Sequence, residues 1–95
     1  MLDEIVSELE LADRCRSDAA LARRLAPNLS GEDRERFLRA AEELEREAAT
    51  HRKRARLAAE KAARSRQPDS DGRALLAEVN RLIVEALKSM AKRTP

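Results

Sequence analysis

The chain contains no Tyr or Trp, one Phe, one Cys, two Gly and three Pro. A lone Cys15 excludes an internal disulfide, which suits a reducing compartment. The near absence of aromatic residues removes the stacking platforms of single-strand nucleic-acid binders and the Trp or Phe anchors of membrane-surface helices. No apolar run approaches the roughly 18 residues of a membrane span, and Met1-Leu2-Asp3-Glu4 is too acidic to open a secretory signal. The expected address is cytoplasmic, with no membrane partner.

What is present is charge and alanine. Charged residues make up 40% of the 95-residue chain, yet the formal net charge is only +2, too small to imply a polyanion partner by itself. The larger apolar residues are thirteen Leu, three Val, two Ile, two Met and one Phe, a thin core for a single domain of residues 1–95. Such a chain holds together by close, alanine-lined helix packing or by burying the remainder against a second copy or a partner.

Two breaks divide the sequence: Ala26-Pro27-Asn28-Leu29-Ser30-Gly31 and Arg66-Gln67-Pro68-Asp69-Ser70-Asp71-Gly72. Ser30 is placed to cap the second helix, with Glu32 and Asp33 at the positive end of its dipole, and Asp69, Ser70 or Asp71 can cap the third. The spacing predicts helices over about 2–25, 31–65 and 73–92.

Periodicity supports each segment. In the first, Leu2, Ile5, Leu9 and Ala12 recur at three and four, Val6 widens the stripe, and Cys15, Ala19 and Ala22 continue it. In the second, Phe37, Ala41, Leu44, Ala48, His51, Ala55, Ala58 and Ala62 alternate steps of four and three, a heptad seam of coiled-coil type. In the third, Leu76, Val79, Ile83, Ala86 and Met90 form the stripe, with Leu75, Leu82 and Leu87 beside it. No strand pattern competes. The fold class expected is all-α, a three-helix antiparallel bundle with a long central helix that self-associates.

Charge order fixes the expected orientation. Helix one runs from acidic (Asp3, Glu4, Glu8, Glu10, Asp13) to basic (Arg14, Arg16, Arg23, Arg24), and helix two runs the same way. Antiparallel packing therefore sets each acidic half beside a basic half. Exposed pairs are worth about 0 to 1 kcal/mol each, so they choose orientation rather than supply stability. At 1.5 Å per residue, helix two is roughly 50 Å long and its neighbours roughly 30 to 36 Å. Helix one should reach back to about Ala55 and helix three to about Arg46. An apolar strip would then stay open near Phe37 and Ala41, and near Ala58 and Ala62.

The chemical candidates are few. His51 lies on the seam with Glu47 one turn earlier; it could ligate a metal or switch with protonation, but no second His or Glu-x-x-His motif accompanies it, so a hydrogen-bonded core-edge histidine is the plainer reading. Cys15 sits on an apolar stripe, where a cysteine acts as a small apolar residue. The basic run Arg52, Lys53, Arg54, Arg56, Lys61, Arg64 and Arg66 could bind nucleic acid, or could simply face the acidic half of helix one.

The stretches Ala12-Asp13-Arg14-Cys15-Arg16, Leu21-Ala22, Gly31-Glu32-Asp33-Arg34-Glu35-Arg36-Phe37-Leu38 and Ala40-Ala41-Glu42-Glu43-Leu44-Glu45 resemble short helical-hairpin proteins of unknown function from alphaproteobacteria, in which a Cys-Arg helix precedes an acid-rich turn and an Ala-Glu-Glu helix. The resemblance implies a hairpin of helices one and two over about a third of the chain, and carries no functional residue with it.

The function expected is a non-enzymatic helical protein-protein interaction module, a homo-oligomer or the dock of a partner helix, with Phe37, Ala41, Leu44, His51, Ala55, Ala58 and Ala62 as the interface. It calls for no cofactor, metal or catalytic residue. The alternatives are a basic-surface nucleic-acid adaptor, a designed helical bundle, which Cys15, His51 and the uneven helix lengths disfavour, and a small mutase-like enzyme, which the mostly apolar seams disfavour.

Overall fold

The computed structural model describes residues 2–66 and 71–93. They form α1 (Leu2–Leu25), a 3-10 turn (Ala26–Asn28), α2 (Gly31–Arg66) and α3 (Gly72–Arg93), with no strand among the described residues. These bounds match those read from the breaks in the sequence. The break at Pro68 and the caps expected of Asp69 and Ser70 lie outside the described residues. Asp71 does cap α3, its Oδ1 accepting the backbone N–H of Ala74 at 2.8 Å.

The first turn is built differently from the expected serine cap. Pro27 stands in the first turn of the 3-10 segment, where a missing N–H costs nothing, and Leu29 N–H donates to Ala26 O at 3.0 Å. The chain then enters α2 through Gly31 at φ +58°, in the left-handed region. Ser30, expected as the cap, makes no side-chain hydrogen bond among the described residues. Arg34 instead reaches back, its Nε donating to Leu29 O at 3.1 Å and its Nη2 to Pro27 O at 3.4 Å.

α1 and α2 pack antiparallel: Arg23 near the end of α1 pairs with Glu45, and Glu8 near its start pairs with His51, farther along α2. Their shared seam is almost all methyl groups. Ile5, Ala12, Ala19 and Ala26 on one side, and Ala41, Ala48, Ala55 and Ala62 on the other, are buried and recur every seven residues. Small side chains at every seventh position let two backbones approach closely along their whole shared length.

α3 does not lie on α2 alone. It occupies the groove between the first half of α1 and the second half of α2, where Val79, Leu82 and Ala86 are buried with Ile5, Val6, Ala55, Ala59, Ala62 and Ala63; Leu2, Leu9, Leu75, Ile83 and Met90 close the margins. Several expectations change as a result. α1 reaches beyond Ala55, since Glu4 and Glu8 flank a hollow shared with Leu57, Ala58 and Lys61. The strip expected to stay open near Ala58 and Ala62 is filled, Ala62 being buried and Ala58 half-buried. Ala59 and Ala63, which the alternating seam omits, are fully buried because α2 faces two neighbours here instead of one. The stripe of α3 is turned so that Leu82 goes inside and Leu76 outside. At the other end, every residue from Gly31 to Ala40 is exposed. Phe37 is 37% exposed while Ala41, one turn on, is buried, because α1 has already turned away.

Two substitutions test this packing. Ala48→Leu should destabilise the fold by about 1 to 3 kcal/mol by forcing the helices apart, whereas Ala49→Leu, on the exposed face, should change little. Equal melting temperatures for the two variants would contradict the close seam. Gly31→Ala meets no atom within 4 Å, so its cost is backbone strain alone, about 1 to 2 kcal/mol, and Gly31→Asn should cost less. Denaturant melts of the pair would show it.

Candidate functional site

The residues expected to form an interface are divided by the fold. Ala41, Ala55 and Ala62 are buried against the chain's own helices, and Leu44, His51 and Ala58 are half-buried at the seam's edge. Only Phe37 is presented to solvent. Close packing of α1 has consumed the seam that a partner would have used.

His51 is placed by that seam. It lies on the same row of α2 as Leu44 and Ala58, facing a row of α1 formed by Glu8, Cys15 and Ala22, all half-buried. Nδ1 of His51 and Oε2 of Glu8 are 2.6 Å apart, with side chains 19% and 22% exposed. This contact ties the first half of α1 to the middle of α2 across 43 residues of sequence. Glu47, the neighbour suggested by spacing, instead accepts a hydrogen bond from Cys15 Sγ at 3.7 Å. Sequence reasoning missed Glu8; the signal was a glutamate three residues after Ile5 and four before Ala12, inside the apolar stripe. Burial pushes the Cys15 thiol up from its ordinary value, and the Glu47 carboxylate adds to the effect. A thiol so placed stays protonated, the reverse of an activated nucleophile. Among the described residues no group of three or more His, Cys, Asp or Glu side chains is arranged to hold a metal ion.

The basic run does not form one surface. Arg56 pairs with Glu60 at 3.5 Å and Arg66 with Glu78 at 3.4 Å. Arg54 and Lys61 border the hollow beside Glu4 and Glu8, so part of the run does face the acidic start of α1. Lys53 and Arg64 share a different flank of the helix. Arg52 opens on a third side, into a hollow with Arg16, Arg23 and Glu45.

α3 carries an exposed apolar flank. Leu76, Val84 and Leu87 are 49%, 48% and 49% exposed, and half-buried Ile83 links them to the core. The other flank is charged: Arg81 forks between Glu78 and Glu85, and Glu78 also meets Arg66 of α2. No helix among the described residues is long and apolar enough to cross a membrane.

The ion pairs set a pH dependence. Hydrogen bonding by Arg81, against an opposing effect of desolvation, holds the Glu78 carboxyl below the usual range, and Arg23 does the same to Glu45. A carboxyl depressed in the folded state stabilises it above the unfolded value, and that contribution is lost as pH falls through the folded value. Stability from these pairs should therefore hold from neutrality down to about pH 4.5, the ordinary glutamate value, and decline below it. Glu45→Gln with Glu78→Gln should flatten the acid limb of the melting temperature against pH; an unaltered limb would assign acid lability to other carboxylates.

Comparison with known proteins gives no family: no family model, no curated protein and no solved structure matches the chain.

Proposed function

We propose that this chain is a non-enzymatic helical interaction module that pairs with a second copy of itself along the outer flank of α3. The observation that carries the reading is the row Leu76, Val84 and Leu87, each about half exposed on a helix whose opposite flank is covered by paired charges. A helix with an unpaired apolar flank gains by covering it. The α2 seam named from the sequence as the docking surface is covered from within the chain between Ala41 and Ala62, which favours α3 as the docking surface.

A two-fold antiparallel arrangement suits the row. It sets Leu76 of one copy opposite Leu87 of the other, with Ile83 and Val84 near the axis. Asp71, which caps the start of α3, then comes alongside Lys92 of the second copy, and the antiparallel helix dipoles favour the same arrangement. A parallel pair would stack like ends together. The nucleic-acid alternative is supported less well, because the basic side chains are dealt around α2 and several already meet carboxylates.

Light scattering on the wild type should give a mass near twice the 10.7 kDa of one chain, persisting in high salt because the contact is apolar. Leu87→Glu should return the monomer mass with helicity intact, since Leu87 is 49% exposed in the single chain. A wild type that stays at 10.7 kDa at high concentration, or a Leu87→Glu variant that keeps the doubled mass, overturns the reading.

A further inference from the structure

The groove between α1 and α2 is longer than the helix that fills it. α3 is held by two rows: Leu2 and Leu9 on α1, and Ala59 with its neighbours on α2. One heptad beyond Leu9 the α1 row carries Arg16, and two beyond it Arg23; one heptad before Ala59 the α2 row carries Arg52, and two before it Glu45. The rows that grip α3 by apolar contact therefore continue past the α3 core as charged side chains, three guanidinium groups and the Glu45 carboxylate. These residues, with Ala20, line a hollow of about 420 Å³.

Electrostatically the hollow is unbalanced. Arg23 is clamped by Glu45, Nε to Oε2 at 3.2 Å and Nη2 to Oε1 at 2.5 Å, which fixes its plane and offsets its charge. Arg16 and Arg52 make no ion pair among the described residues, so the hollow is lined from facing helices by three guanidinium groups against one carboxylate, Glu45, which Arg23 already engages. Guanidinium forks match the paired oxygens of phosphate groups, and the volume falls within the range of small-ligand sites. Ala20 on the floor leaves the space open.

We propose that this hollow binds a small polyphosphate anion, with Arg16 and Arg52 as its direct ligands and Arg23, held by Glu45, as a fixed third donor. The site is separate from the α3 docking flank and does not depend on it. Its occupant is small because the positive surface is short. Asp13 borders the adjoining hollow beside Arg16, and the remaining cations of α2 face other flanks, so no continuous track for a nucleic-acid backbone leads away from it.

Calorimetric titration of the full chain with inorganic pyrophosphate tests the assignment. The expected result is binding at one equivalent per chain, weakened at least about tenfold by Arg52→Gln and, independently, by Arg16→Gln, and unaffected by Lys53→Gln on another flank. Both arginines are exposed, so circular dichroism should show each variant folded; should one variant unfold, the other decides. No heat with the wild type, or equal weakening by Lys53→Gln, overturns the site. So does tighter binding of a single-stranded oligonucleotide that survives Arg16→Gln and is lost with Lys53→Gln, which would place a polyanion on the outer face of α2 instead.

Discussion

The close approach of α1 to α2 governs the rest of the structure. Because Ala12, Ala19 and Ala26 meet the row Ala41, Ala48, Ala55 and Ala62, the contact is lined by small side chains from Ala12 onward, and few large ones lie within it. Most large side chains are displaced to its margins. Some find the third helix, as Ile5, Val6 and Leu82 do; others, such as Leu11, Leu21 and Leu57, remain at the surface. The chain thus keeps a thin core and a long shape, 57 × 29 × 17 Å, in place of a rounded bundle. α3 completes the core in the groove beside Ile5 and Val6, where the seam carries side chains larger than alanine at the α1 end.

A seam of identical methyl groups says little about register. Sliding α1 along α2 by seven residues would bring alanine against alanine again, with only the ends changed. The discrimination falls to the groups that do not repeat. Glu8 has one histidine to meet, Arg23 forks onto one glutamate, and the left-handed Gly31 with the Arg34 clasp fixes the length of the turn. Polar groups at a helix interface commonly act in this way, choosing one alignment among several of similar apolar content.

Much of the architecture was legible in the sequence. The proline-containing breaks set the helix bounds, and the acidic-to-basic order in α1 and α2 chose their direction, because neither depends on distant contacts. The path of α3 was not legible. A single stripe on α2 is compatible with one neighbour on each side in turn, and only the burial of Ala59 and Ala63 reveals that both neighbours overlap there. The same ambiguity hid Leu76, which sits one step around the helix from where the stripe placed it. On α2 the cause is alanine, small enough to sit inside or outside, so a pattern written in it leaves the angular width of the buried face undetermined; on α3 it is leucine, which flanks the stripe on both sides at Leu75 and Leu82 and at Leu76 and Leu87. The pairing of His51 was lost for a different reason. Glu47 is near in sequence, whereas Glu8 is 43 residues away and becomes a neighbour only through the hairpin.

The exposed opening of α2 means that one unbroken helix passes through two environments. From Ala41 onward its ladder is shielded by α1 and then by α3. From Gly31 to Ala40 every residue is exposed, and the segment is steadied by Leu38 beside Ala26 and Pro27, by Arg36 near Glu32 and Asp33, and by the Arg34 clasp. Such turns open locally at little cost, without disturbing the seam. Amide protons along α2 should therefore exchange with solvent in a gradient, fast before Ala41 and slow after it, and the hairpin end is where a protease would make its first cut while the remainder stays folded.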